Sequence, residues 1–220
     1  MQSVLIIGSS GGIGSALTAA YTAQGASVTG LSRRDDGLDV TDPPAVDAAL
    51  ADMGPFDRVI VTTGALEIDK ATPEKTIRAV DAQAMAAQFA LNAIGPALIL
   101  RRAHHLVPRD RQSVFAVLSA RVGSIGDNRL GGWISYRSAK AALNQIIRTS
   151  AIELGRSHPH STVVALHPGT VATPFTEKYL GRHPAVSPDE AAANLTRVIE
   201  GLKPEDTGNF YDWKGEAVPW

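Results

Sequence analysis

Apolar positions along this chain alternate between two rhythms. Residues 4–7 (Val-Leu-Ile-Ile) form an unbroken aliphatic run, the pattern of a strand buried on both faces. From 13 to 24 apolar and alanine positions recur at helical spacing, and Gly25 stands where a helix end favours glycine. Residues 27–31 read as a second strand and 38–40 as a minimal third. Thr41 is placed to cap a helix over 45–53, with Pro43 in its first turn. Further strands are predicted at 58–62, 113–118, 162–166 and 208–211. Helical stretches are predicted from Pro73 to about Val107, over 135–154, and over 187–200, the last capped by Ser187 and started by Pro188. This alternation predicts an α/β fold over 1–220: a single-domain, doubly wound parallel sheet, Rossmann-like, of about seven strands with helices on both faces. The interval between Leu31 and Leu38 leaves no room for a helix, so a bare loop is expected there.

Composition narrows the function classes. The chain has 220 residues, 44% hydrophobic and 20% charged, ordinary values for a folded domain. Lys and Arg number 21 against 22 Asp and Glu, which gives no electrostatic basis for a nucleic-acid or anionic-membrane partner. Absence of cysteine excludes a disulfide framework, a thiol nucleophile and Cys-ligated metal. No apolar run approaches the roughly 20 residues of a bilayer span, and the N-terminus lacks a basic leader, so a cytoplasmic protein is expected. His158 and His160 have no acidic cluster beside them, so no metal site is expected. His104 and His105 suit a helix C-terminus, and His167 and His183 carry no signal of their own. Aromatic residues make up 5%, which argues against an elaborate aromatic substrate cage.

Two local patterns carry chemistry. The first strand runs into Gly8-Ser9-Ser10-Gly11-Gly12-Ile13-Gly14 and then a helix. A pyrophosphate site needs a sharp turn, close backbone approach and free helix N–H groups, and Gly8, Ser10, Gly12, Ile13 and Gly14 stand where those needs fall. Strand two ends Leu31-Ser32-Arg33-Arg34; paired guanidinium groups suit a 2′-phosphate, which favours NADP(H) and leaves NAD(H) open, the alternative being a solvated basic turn. The second pattern is Tyr136 and Lys140, four apart at a helix start and therefore on one face. An ammonium beside a phenol stabilises the phenolate, so this pair is expected to lower the tyrosine pKa and let it exchange protons with a carbonyl or alcohol oxygen.

Together and in this order, these patterns resemble the short-chain dehydrogenase/reductase family in its single-domain form, across essentially the whole chain. The segment 119–140 and the ending Phe210-Tyr211-Asp212-Trp213 are similar to its C-factor-like, cell–cell-signalling-related subgroup. The resemblance implies an adenine contact at Asp39-Val40 and a cofactor-side turn at Thr62-Thr63-Gly64-Ala65, where the family usually has Asn-Asn-Ala-Gly. It implies a helix asparagine at Asn92 and a nicotinamide-side loop through Pro168, Gly169, Val171 and Thr173, followed by a substrate lid near 174–187. Pro96, four residues after Asn92, has no N–H for the Asn92 carbonyl. That carbonyl either holds a relay water leading from Lys140 or the proline merely kinks the helix for packing. The family's helices around Asn92 and after Tyr136 usually form a subunit contact, so a homodimer or homotetramer is implied.

One departure stands out. Ala120 occupies the position where the family places a serine that hydrogen-bonds the substrate oxygen, and Ser124 is the loop residue placed to substitute. The reading is an NADP(H)-dependent oxidoreductase acting on a small carbonyl or alcohol through Tyr136, Lys140, Asn92 and Ser124. The alternative is a catalytically weak NADP(H)-binding sensor or signalling protein.

Overall fold

The β-branched runs assemble into one parallel sheet. In the computed structural model, which describes residues 1–174, 176–179 and 185–220, six strands lie in the order β2-β1-β3-β4-β5-β6. They are β1 (Ser3–Ile7), β2 (Ser27–Leu31), β3 (Arg58–Val61), β4 (Ser113–Leu118), β5 (Ser161–His167) and β6 (Phe210–Asp212). Alternation within each strand serves two cores. Leu5 and Ile7 of β1 face one layer with Val59, Phe115 and Val163, while Val4 and Ile6 face the other with Ile60, Ala116 and Val164.

Helix α1 (Gly12–Ala23) crosses to β2, and a short turn of helix, α2 (Arg33–Asp36), leads towards α3 (Pro43–Leu50). Beyond β3 come α4 (Ala82–Phe89), α5 (Gly95–Leu100) and α6 (Ala103–Leu106), then α7 (Ile134–Gly155) after β4 and α8 (Pro188–Gly201) after β5. Leu17 and Tyr21 of α1 pack with Ala192 and Leu195 of α8 on one face. Val46 of α3, Ile99 of α5 and Leu143 and Ile147 of α7 cover the other. The strands stay parallel but the order of their addition reverses between β1 and β3, so the C-terminal ends of those strands frame the crevice where ligands of open α/β sheets bind.

The sheet has one strand fewer than expected. Leu38 and Val40 are buried, yet residues 38–40 do not join the ladder. The Leu38 N–H bonds back to the Ser32 carbonyl at 3.1 Å, and Asp39 Oδ1 accepts from the Thr41 N–H and hydroxyl at 2.8 and 2.7 Å. Local turn bonds thus satisfy groups that a strand would have paired with β2. The bare loop expected after Leu31 is also corrected. Ser32 caps α2, accepting the Asp35 N–H at 3.0 Å, and Gly37 ends it at φ 69°.

The long helix after β3 starts later than the expected Pro73, because Asp81 caps it through the Ala84 N–H at 2.8 Å. From there α4 passes through a π turn, Ala90–Ile94, directly into α5. The resulting span Ala82–Leu100 is long and apolar enough to cross a membrane by length and composition, contrary to the sequence expectation. In this fold it packs along α7, with 39% of its most apolar stretch buried. Helices α7 and α8 match their expected ranges closely, and Ser187 caps α8 through the Glu190 N–H at 3.1 Å. Of the expected lid, Pro174, 176–179 and 185–187 are described; Phe175 and 180–184, which include His183, lie outside the described residues.

Candidate active site

The glycine turn is shaped by contact rather than by flexibility. A Cβ on Gly14 would lie 2.1 Å from the Gly8 carbonyl oxygen, and one on Gly8, at φ +96°, would lie 2.5 Å from Thr62 Oγ1. Thr62 completes the lock by donating to the Ile7 and Gly8 carbonyls, 3.1 Å each. A Cβ on Gly12 would fall 2.7 Å from Thr173 Cγ2 of the loop after β5. The turn therefore holds the N-terminus of α1 open between β1 and the 168–173 loop, with no side-chain cap on its first N–H groups.

Across the switch point, α7 presents Tyr136 and Lys140 on one buried face. Lys140 Nζ donates to the Leu118 carbonyl at 3.1 Å and stands 5.9 Å from the Tyr136 ring centroid. Burial pushes the Lys140 ammonium down to about 8 and pushes the Tyr136 phenol above its ordinary value. The expected depression of the phenol is thus not what this geometry produces. Desolvation acts on both groups, and Lys140 commits a hydrogen bond to the end of β4. Gly123 allows the loop after β4 to press on this helix: a Cβ there would meet the Lys140 backbone at 2.8 Å.

Asn92 braces the opposite wall. Its Oδ1 accepts from the Ala65 N–H at 3.1 Å, and its Nδ2 donates to the Ala65 carbonyl at 2.9 Å and to Gln88 Oε1 at 2.7 Å. Gly64 fits between this amide and the lysine; a Cβ there would lie 2.8 Å from Asn92 Oδ1 and 3.5 Å from Lys140 Nζ. The π turn around Asn92 precedes Pro96, which has no N–H to return to its carbonyl.

A long-range contact that no local pattern signals sets the start of α7. Trp133, at φ 52°, precedes the helix without a side-chain cap of its own. Glu74, buried, supplies the cap from the loop before α4. Its carbonyl accepts the Trp133 N–H at 2.6 Å, and its carboxylate accepts the Ser135 N–H at 3.3 Å and the Ser135 hydroxyl. A carboxylate at this helix end also complements the helix dipole. Tyr136 is the next residue, so Glu74 fixes the backbone that carries the phenol.

The glycine turn, Gly64 and the Tyr136–Lys140 face open on one cleft of about 1230 Å³ at the C-terminal edge of the sheet. Ser10, Gly12, Ile13 and Gly14 line it at one end, Thr63 and Gly64 at the middle. Tyr136, Lys140, Pro168, Gly169 and Val171 line it as well. The aromatic expectation needs correcting here. Trp133 packs edge-on against Tyr136 at 6.5 Å and against Tyr179 at 5.5 Å, concentrating three rings on one wall of an aromatic-poor chain. Tyr179 and Lys178 are held by Glu67 at 2.5 and 2.8 Å, which ties the described part of the lid to the loop after β3.

Other expected residues stand off the lining. Ala65 and Asn92 lie behind Gly64, and Gly8 lies beneath the turn. The Ser32 N–H is bonded to Asp36 at 2.7 Å, Arg34 pairs with Asp35 at 3.0 Å, and Arg33 is exposed. Asp39 and Val40 sit beside that turn, outside the lining. Ser124 is corrected. Its hydroxyl accepts the Asp127 N–H at 3.1 Å, and it is not among the cleft residues, whereas Ala120 is. Ser119 turns its hydroxyl away to Asn144 at 2.6 Å, as strand alternation requires. Two polar atoms at the cleft, Thr63 Oγ1 and His167 Nδ1, are buried without a hydrogen-bond partner. Burial first, then Arg121, pushes the His167 imidazole down to about 4.

Residues 37–213 match the family described as enoyl-(acyl carrier protein) reductase. The chain is 28% identical over 236 residues to 1-hydroxy-2-glutathionyl-2-methyl-3-butene dehydrogenase of Rhodococcus sp., covering 100% of both chains. It is 37% identical over 145 residues to the C-signal protein of Myxococcus xanthus, covering 64% of this chain and 81% of that one. Among solved structures, a short-chain dehydrogenase/reductase from Burkholderia multivorans with bound NADP superposes with a TM-score of 0.80 at 25% identity, covering 100% of this chain and 99% of that chain.

Proposed function

Because the chain belongs to the short-chain dehydrogenase/reductase family, we propose that it is an NADP(H)-dependent oxidoreductase acting on a small carbonyl or alcohol, with Tyr136 as general acid or base. The observation that carries this reading is one cleft holding both the glycine turn and the Tyr136–Lys140 face. The residues present fit a dinucleotide. Gly12, Gly14 and Gly64 line the cleft with bare backbone, and Thr63 Oγ1 and His167 Nδ1 are buried polar atoms without a hydrogen-bond partner. The α1 N-terminus would receive the pyrophosphate, and Arg33 and Arg34 are the groups nearest in sequence to receive a 2′-phosphate. The NADP held by the Burkholderia protein supports that cofactor.

When bound, the nicotinamide supplies or accepts the hydride. In the reducing direction Tyr136 Oη would give its proton to the substrate carbonyl oxygen as the alcohol forms. Burial alone raises the phenol's pKa and makes it a weaker acid, so proton release would depend on the Lys140 charge beside it. Lys140 would steady the developing phenolate through its charge and carry the proton inward from the Asn92 side. Trp133 and Tyr179 would shield the reacting oxygen from water. Exposed Ile94 and Ile152, at 51% and 52%, lie on the α4–α5 and α7 helices and support self-association through them as a homodimer or homotetramer. A net charge of −1 gives no electrostatic basis for a nucleic-acid partner.

Ala120 favours a second reading, a slow or degenerate NADP(H) sensor, since a missing oxyanion donor costs on the order of 10²-fold or more in rate. Turnover of aldehydes, ketones and quinones with NADPH separates the two. In wild type, Tyr136→Phe is expected to cut kcat at least 10²-fold while leaving the NADPH dissociation constant within about twofold. Unchanged kcat in that variant removes the proton-transfer role; tight NADPH binding without any turnover favours the sensor.

A further inference from the structure

The cleft's charge is unbalanced at the end that carries Tyr136. Five basic residues line the cleft, Lys75, Arg121, Arg129, Arg137 and Lys140, against one carboxylate, Asp127. Arg121 answers that carboxylate at 2.7 Å, and Lys140 belongs to the catalytic pair. Lys75, Arg129 and Arg137 remain. Among the described residues no carboxylate lies within 4.0 Å of any of them.

Their positions in the chain set where an anion would go. Arg129 and Arg137 bracket the start of α7, and Lys75 follows Glu74, whose carbonyl holds Trp133. All three line the same cleft as Trp133 and Tyr136, Lys75 and Arg129 with exposed side chains, whereas the turn before α1 offers glycine backbone. Arg137 is held rather than loose. Its Nε donates to the Gly132 carbonyl at 3.0 Å and its Nη1 to the Val122 carbonyl at 3.3 Å, so the guanidinium is half-buried and clamped. Burial also pushes that guanidinium below its ordinary value. The Trp133 and Tyr179 rings, 5.5 Å apart, and Leu130 line the same cleft.

Resting on the oxidoreductase reading above, we propose that the substrate is a carbonyl compound carrying a carboxylate. Its flat apolar body lies against Trp133 and Tyr179, and its carboxylate is received by Arg137, Arg129 and Lys75. A carboxylate matches the planar fork of arginine, and its charge also compensates in part for the oxyanion donor that Ala120 lacks, by holding the carbonyl in place from the far end.

The probes are benzaldehyde and 4-carboxybenzaldehyde, which share a ring and differ in charge, reduced with NADPH. The expected result is a kcat/KM about tenfold higher for the carboxylated aldehyde, a preference that shrinks between 20 mM and 500 mM NaCl. In the double variant Lys75→Ser/Arg129→Ser the preference falls towards one while the NADPH dissociation constant, read by fluorescence, stays within about twofold. A preference of one in wild type, or one that survives in the double variant, overturns the proposal. So does a parallel loss of NADPH affinity, which would assign the cations to the cofactor. Calorimetry with 4-(hydroxymethyl)benzoate and benzyl alcohol on the NADPH-loaded protein, where both partners are already reduced, gives the same comparison without turnover. Preferential binding of the benzoate with neither aldehyde reduced would count against the oxidoreductase reading and for the anion site; equal binding would count against the anion site.

Discussion

Replacing Lys140 with methionine should raise stability and abolish activity together. Lys140 is 3% exposed, and burial takes its ammonium from an ordinary value of 10.5 down to about 8. At roughly 1.4 kcal/mol per decade, a fall of that size means that holding the charge in the folded state costs about 3 kcal/mol. Below pH 8 both folded and unfolded chains carry the proton, so that cost is present in full. Between about pH 8 and 10.5 the unfolded chain binds more protons than the folded one, and wild-type stability rises with pH. Methionine fills nearly the same volume without the charge. It forfeits the hydrogen bond to the Leu118 carbonyl, worth about 1.5 kcal/mol, and the contact 5.9 Å from the Tyr136 ring, worth about 0.5 kcal/mol. The balance at pH 7 is a gain of about 1 kcal/mol, or about 2–4 °C in Tm for a chain of this length. Urea denaturation of both proteins at pH 7 and pH 10 tests this. The variant should unfold later at pH 7, and its advantage should disappear by pH 10. A variant less stable than wild type at pH 7, or a difference that does not move with pH, would refute the reasoning.

Glu74→Ala removes the acceptor for the Ser135 N–H and hydroxyl and leaves both buried; a loss of about 3 kcal/mol is expected in urea, and a loss below 1 kcal/mol would show that the α7 start holds itself. Ala120→Ser places a hydroxyl on the cleft wall where the family has one and should raise kcat about tenfold on any aldehyde the enzyme reduces; an unchanged rate would mean that the substrate oxygen binds elsewhere. Arg33→Ala and Arg34→Ala should weaken NADPH binding at least tenfold while NADH binding changes less than twofold, and equal effects on both nucleotides would remove the 2′-phosphate role.

Much of this protein was legible in short stretches of sequence. The glycine turn could be read because its steric demands fall within a few residues: Gly14 and Gly8 must nearly touch, and no other residue permits it. Tyr136 and Lys140 could be read because helical spacing alone puts them on one face. The strand cores were legible because an unbroken aliphatic run has few other ways to be buried. Residues 38–40 misled for a related reason. Their apolar pattern reported burial correctly, but pairing depends on whether the backbone is already engaged, and the Asp39–Thr41 turn engages it. What the tertiary structure alone decided are contacts between residues far apart in the chain. Glu74 capping α7, Tyr179 meeting Trp133, and Ser124 turned to Asp127 while Ala120 faces the cleft all depend on how loops from different strands converge. Local propensity acts over a few residues, whereas these contacts arise only once the sheet has brought its C-terminal edges together, and no spacing rule spans that distance.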